Sequence, residues 1–66
     1  MKLEINGEPR DISGAENIAA LVESLGLPAA AMLVEHNGIA LRRDEWLEHR
    51  LADGDQLEII QIAAGG

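Results

Sequence analysis

Cysteine is absent from this chain of 66 residues, and several kinds of chemistry are absent with it. Disulfides, thiolate nucleophiles, cysteine-based zinc sites and iron–sulfur clusters are all excluded. If sulfur chemistry takes place here, the sulfur has to be brought in by another molecule. A chain without cysteine also suits a reducing, cytoplasmic compartment.

Aromatic residues are nearly absent as well, at 2% of the chain, and Trp46 is the single one. Hydrophobic residues nevertheless make up 47% of the chain, so the core has to be built from Leu, Ile, Val, Met and Ala. A domain of this size buries only about 60% of the surface that its unfolded chain exposes. We therefore expect one small domain with a thin core and no catalytic cleft between domains.

Basic residues are few, with five Lys and Arg against twelve Asp and Glu, for a net charge of -7. This charge repels phosphate backbones and anionic lipids, so we predict neither a nucleic-acid partner nor a membrane partner. The acidic excess fits either a well-solvated surface or attraction toward a basic protein partner. Met1 to Ile5 alternates and carries an acid, unlike a secretory signal, which predicts a soluble, untargeted, cytoplasmic protein.

The first part of the chain predicts a β-hairpin followed by a helix. Apolar residues alternate from Met1 to Ile5, and Asn6-Gly7 is a strong signal for a tight turn. The return strand, Glu8 to Ile12, contains Pro9, which places it at a sheet edge. The helical period then appears in residues 18, 21, 22 and 25, with an N-cap at either residue 17 or residue 13 and an end at Gly26.

The second part predicts further strands. Met32 to His36 and Ile39 to Leu41 form a second hairpin around Asn37-Gly38, and Leu57 to Ile62 forms the last strand. The charged stretch between them is interpreted as a turn or short helix that lays Trp46 over the core. A parallel pairing of the first and last strands gives an α+β fold of the β-grasp type, as in ubiquitin, with one main helix on one face of a mixed sheet.

Alternation along the last strand also predicts an exposed apolar patch. It directs Leu57 and Ile59 toward the helix, and it directs Ile60 and Ile62 toward the opposite face, where no element covers them. Leu33 is out of phase with its buried neighbours and joins them. Exposed branched residues of this kind form either a docking patch for a partner, which we predict, or ordinary surface.

Residues with catalytic potential are scattered. His36 and His49 lack the spacing of a metal site and are interpreted as surface histidines, so no metal site is predicted. Asp53 and Asp55 flank a glycine and are interpreted as turn residues. No glycine-rich phosphate loop is present, so no bound cofactor is predicted. Any step that uses ATP has to be carried out by a partner.

The C-terminal segment Ala63-Ala64-Gly65-Gly66 is the most unusual stretch. We expect residues 1–62 to form the β-grasp domain and residues 63–66 to form a flexible tail. Glycine has no Cβ, so Gly65 and Gly66 fit a channel too narrow for side chains. Four extended residues reach roughly 13 Å, enough to place the α-carboxylate of Gly66 in another protein's active site.

These features together resemble the ThiS family of ubiquitin-like sulfur carriers, and the resemblance spans nearly the whole chain. The segments that carry it are Asn37-Gly38, Arg43-Asp44-Glu45-Trp46, Asp53-Gly54-Asp55 and the Ala64-Gly65-Gly66 end. Leu41-Arg42 departs from the family, in which a proline precedes the motif arginine, whereas Ile60 stands where the family places a bulky apolar residue.

The resemblance implies a protein co-substrate in thiamine biosynthesis and not an enzyme. Gly66 is then adenylated by an E1-like adenylyltransferase (ThiF-type) with ATP, and sulfur from cysteine, delivered by a desulfurase, converts it to a thiocarboxylate. Thiazole synthase (ThiG-type) uses that sulfur to build the thiazole ring. The alternatives are the small subunit of molybdopterin synthase and a ubiquitin-like modifier that is joined to lysines through Gly66.

Overall fold

The computed structural model describes residues 1–62, which form a mixed five-stranded sheet with one α-helix. The strand order in the sheet is β2-β1-β5-β3-β4. The predicted tail, residues 63–66, lies outside the described residues. The elements are β1 (Lys2–Ile5), β2 (Glu8–Asp11), α1 (Ile18–Ser24), β3 (Met32–His36), β4 (Ile39–Leu41) and β5 (Gln56–Gln61), with short 3₁₀ turns at Ala29–Ala31 and Arg43–Glu45.

The opening hairpin forms as predicted. Asn6 and Gly7 both have positive φ, 52° and 81°, which is the conformation that a tight turn between two strands requires. β2 then pairs antiparallel with β1, and Pro9 lies opposite Glu4. β2 lies at one edge of the sheet, so the edge position inferred from Pro9 is confirmed.

Helix α1 is defined at both ends by local hydrogen bonds. Asn17 is the N-cap, since its Oδ1 accepts a hydrogen bond from the Ala20 amide at 2.8 Å. At the other end Gly26, with φ of 71°, donates to the Glu23 carbonyl, and Leu27 donates to the Val22 carbonyl. These two bonds are a Schellman motif, which ends the helix where the sequence predicts.

The last strand is central to the sheet. β5 pairs in parallel with β1 on one side and antiparallel with β3 on the other. This confirms the β-grasp arrangement, in which the first and last strands lie side by side. β5 begins at Gln56 and ends at Gln61, one residue earlier at each end than the sequence predicts.

The core lies between α1 and one face of the sheet. Trp46 is 2% exposed and covers the core, whereas its neighbour Leu47 is 72% exposed. Leu25, predicted to be on the buried helix face, is half-buried at the helix end. The buried cluster is completed by Leu3, Ile5, Ala15, Ile18, Leu21, Val22, Met32, Val34, Leu41, Leu57 and Ile59.

The only α-helix that the structure describes in residues 1–62 is too short to cross a membrane.

Candidate functional site

The face of the sheet opposite α1 carries exposed apolar side chains. Along β5 the alternation holds as predicted, since Leu57 and Ile59 are buried against the helix. Ile60 is 50% exposed and Ile62, just after the strand, is 44% exposed. This face is called the open face below.

Leu33 lies beside them. It is 52% exposed, and in the antiparallel β3·β5 ladder it is the direct partner of Ile60. Directly opposite residues place their side chains on the same face, so Leu33 and Ile60 are neighbours on the open face. The Ile62 amide donates to the Ala31 carbonyl at 2.6 Å, which keeps Ile62 at the same end of β3. We call these three residues the apolar patch; their exposure is confirmed, and their binding of a partner stays a prediction.

Asn6 fastens β5 next to this patch. Its Oδ1 accepts a hydrogen bond from the Ile59 amide at 2.8 Å, and its Nδ2 donates to the Ile59 carbonyl at 3.1 Å. The Asn6 side chain therefore forms the same two hydrogen bonds to Ile59 that the backbone of a neighbouring strand would form. These bonds hold the backbone of β5 in place just before Ile60. The sequence indicates Asn6 only as a turn residue, because hydrogen bonds to a strand distant in the chain leave no local signal.

The predicted tail residues are Ala63, Ala64, Gly65 and Gly66, and all four lie outside the described residues. What the structure does describe is their point of attachment. The described part of the chain ends at Ile62, which directly follows the central strand and belongs to the apolar patch.

One of the two histidines is buried, contrary to the prediction from the sequence. His36 is only 9% exposed, because alternation along β3 places it on the same face as Val34. Its Nε2 lies 2.7 Å from Oδ2 of Asp55, and its Nδ1 lies 3.3 Å from Nδ1 of His49. At that second contact one ring nitrogen donates and the other accepts. The interpretation of His36 as a surface histidine is therefore incorrect.

Asp55 is the centre of this cluster. Besides its contact with His36, it accepts hydrogen bonds from the Ala52 amide at 2.9 Å and from Asn37 Nδ2 at 3.1 Å. Burial raises the pKa of the Asp55 carboxyl, but the hydrogen bonds from His36, Asn37 and Ala52 outweigh it and hold the pKa below its ordinary value. Asp55 directly precedes β5, so the cluster ties the turn before that strand to the end of β3.

Asp53, the other acid of this turn, accepts a hydrogen bond from the Lys2 amide at 2.6 Å and so connects the turn to β1. Both aspartates thus stabilise the start of the central strand. Within residues 1–62, no three His, Cys, Asp or Glu side chains are arranged to hold a metal ion.

Comparison with known proteins identifies the family. The model of the ThiS family matches residues 3–66. A crystal structure of a thiamine biosynthesis protein (ThiS) from Geobacter metallireducens has a TM-score of 0.84 and 35% identity, and the alignment covers 100% of both chains. The sulfur carrier protein ThiS of Escherichia coli is 27% identical over 66 residues, which are 100% of each chain.

Two relatives bear a different name. Thiazole synthases of Paramagnetospirillum magneticum and Magnetococcus marinus are 36% and 29% identical to the whole of this chain. The chain spans only 20% of the length of each of these relatives. The chain belongs to the ThiS family.

Proposed function

We propose that this chain carries sulfur for the thiazole ring of thiamine and serves as a protein co-substrate. ThiS proteins are small sulfur carriers and not catalysts. The observation that supports the proposal most strongly is the extent of the family match, which runs from residue 3 through the Gly-Gly segment to residue 66.

The proposed chemistry takes place at the α-carboxylate of Gly66. A carboxylate resists nucleophiles at neutral pH until one of its oxygens becomes part of a leaving group. An E1-like adenylyltransferase supplies this step with ATP: the carboxylate oxygen attacks the α-phosphate, pyrophosphate leaves, and an acyl-adenylate forms. The terminal sulfur of a desulfurase persulfide, which derives from cysteine, then attacks the acyl carbon and displaces AMP to give an acyl disulfide. A thiol reduces this acyl disulfide, which leaves the thiocarboxylate on Gly66 and a disulfide between that thiol and the sulfur donor. Gly65, Ala64 and Ala63 keep the approach to the carboxylate slim.

A thiazole synthase is the proposed acceptor of that sulfur. The support comes from the two relatives named thiazole synthase, in which a segment similar to this whole chain makes up one fifth of the protein. The apolar patch of Leu33, Ile60 and Ile62 is the proposed docking surface, because it adjoins the attachment point of the tail. Exposed apolar patches of this kind mark protein interaction sites. The proposed compartment is the cytoplasm.

Deletion of Gly66 tests the carrier role. With the organism's ThiF-type adenylyltransferase, the intact chain should support exchange of labelled pyrophosphate into ATP, and the deleted chain should not. Its thermal unfolding should match that of the intact chain, since the buried core extends from Leu3 to Ile59.

Three results would contradict the proposal. Undiminished exchange by the deleted chain would show that the Gly66 carboxylate is not the activated group. Lysine adducts of higher mass on an immunoblot would instead indicate a protein modifier. Unchanged activity after replacement of both Gly65 and Gly66 would indicate a binding module whose tail has no role.

A further inference from the structure

The open face is polarised along the β3·β5 ladder. Leu33 lies opposite Ile60, and two residues further along the same face Glu35 lies opposite Glu58. Both glutamates are exposed. An apolar cross-strand pair close to Ile62, the last described residue, is therefore followed directly by a pair of carboxylates.

The glutamate pair opposes folding of the free chain. Directly opposite residues have Cβ atoms about 4.5 to 5.5 Å apart, and like charges at that separation destabilise a sheet. Within the described residues 1–62, neither glutamate forms an ion pair with a basic side chain. The next strand adds another acid on this face, Glu4, which is paired with Gln56. Lys2, the base of that strand, lies opposite Asp11.

The two pairs thus have opposite requirements. The apolar patch is covered favourably by an apolar surface, and the glutamate pair is relieved only by positive charge. Successive residues on one face of a strand are separated by about 6.6 Å. A partner surface that complements the open face carries apolar side chains opposite Leu33 and Ile60. It carries a positively charged side chain about 6.6 Å farther along the strands, opposite the glutamate pair.

We propose that Glu35 and Glu58 together receive an arginine or lysine of the thiazole synthase that docks on the apolar patch. This inference rests on the proposed function, which brings that enzyme to this face. Apolar contacts alone are non-directional. The cation fixes the position of this chain on the enzyme along the direction of the strands. That position directs the residues after Ile62 toward the enzyme's active site.

The test uses Glu35→Gln, Glu58→Gln and the double variant, with Glu23→Gln as control. Glu23 is an exposed residue of α1, so its substitution removes the same charge away from the open face. Binding to the organism's thiazole synthase is measured by calorimetry at low and at physiological salt, and the thermal unfolding of each free chain is recorded.

The expected result has opposite signs in the free chain and in the complex. The double variant should melt about 1 to 4 °C higher than the wild type, because a like-charge pair is removed. It should bind thiazole synthase about tenfold more weakly and with a flatter salt dependence. Glu23→Gln should bind as the wild type does.

Equal binding by the wild type and the double variant would overturn the inference and leave the proposed function intact. Failure of the wild type itself to bind would instead contradict the proposed acceptor. A lower melting temperature in the double variant would show that the pair stabilises the fold, and equal losses in the control would show a non-local charge effect. Either result would overturn the assignment. So would a double variant that binds the adenylyltransferase more weakly than the wild type but binds thiazole synthase equally well.

Discussion

The hydrogen bonds between Asn6 and β5 lead to a quantitative prediction for Asn6→Gly. Glycine adopts the φ of 52° required at this turn without strain, so the substitution removes the side-chain bonds while leaving the turn intact. Two bonds are lost, from the Ile59 amide and to the Ile59 carbonyl. At about 0.5 to 1.5 kcal/mol each, their loss should reduce the free energy of unfolding by about 1 to 3 kcal/mol.

That loss is large for so small a domain. Stabilities of about 0.05 to 0.15 kcal/mol per residue are typical, and each kcal/mol corresponds to roughly 4 to 8 °C in melting temperature. Urea unfolding followed by circular dichroism gives the change in free energy, and hydrogen exchange reports on the Ile59 amide. That amide should exchange faster, whereas the Val22 amide inside α1 should be affected only through global unfolding.

Asn6→Asp separates the two bonds. An aspartate keeps an acceptor for the Ile59 amide but loses the donor to the Ile59 carbonyl, so it should also destabilise the chain and leave the Ile59 amide more protected than Asn6→Gly does. If Asn6→Gly unfolds at the same urea concentration as the wild type and its Ile59 amide exchanges no faster, the claim that Asn6 fastens β5 is wrong.

Three further predictions concern the core, the turn and the patch. Leu21→Ala should cost about 2 to 5 kcal/mol in urea unfolding, since Leu21 is 0% exposed, whereas Leu47→Ala should change stability by less than about 0.5 kcal/mol. The pKa of Asp55 is lower in the folded chain than in the unfolded chain, so its stabilising contribution is present above the unfolded pKa and is lost as the pH falls through the folded pKa. When urea unfolding at neutral pH is compared with urea unfolding at strongly acidic pH, Asp55→Asn should therefore lose less free energy of unfolding than the wild type. An equal loss in the two chains would contradict this. Ile60→Ser should weaken calorimetric binding to thiazole synthase severalfold with little change in melting temperature, and Ile39→Ser, at a site 59% exposed on β4, should not.

Alternation made much of the fold predictable. Period-two patterns in β3 and β5 indicated which side chains are buried and which are exposed, and the apolar patch followed from that pattern. The ends of α1 were predictable for a similar reason, because its caps are local: Asn17 bonds three residues ahead, and Gly26 lies just after the last turn.

Contacts between distant segments were not predictable in this way. His36 meets Asp55, which is 19 residues away, and Asn6 meets Ile59, which is 53 residues away. The geometry of these contacts depends on the register of β5 against its neighbouring strands. Local sequence patterns do not determine that register. The burial of His36 is a partial exception, since alternation with Val34 already indicated it.

The Glu35·Glu58 pair shows the same limit for the candidate site. Each glutamate alone has the pattern of a solvent-facing strand residue, and only the register of β3 against β5 shows that they face each other. The chemistry assigned to Gly66 was inferred from the opposite kind of signal. It depends on the type of residue at one position and on the family resemblance, and not on packing.

The most direct test of the carrier role is the intact mass of the chain after incubation with ATP, the ThiF-type adenylyltransferase, a cysteine desulfurase and cysteine, compared with the same mixture without ATP. A sulfur carrier should gain the mass difference of one oxygen replaced by one sulfur, localised by fragmentation to the peptide that ends in Gly66. An unchanged mass, with enzymes shown to be active on a ThiS protein of established activity, would contradict it.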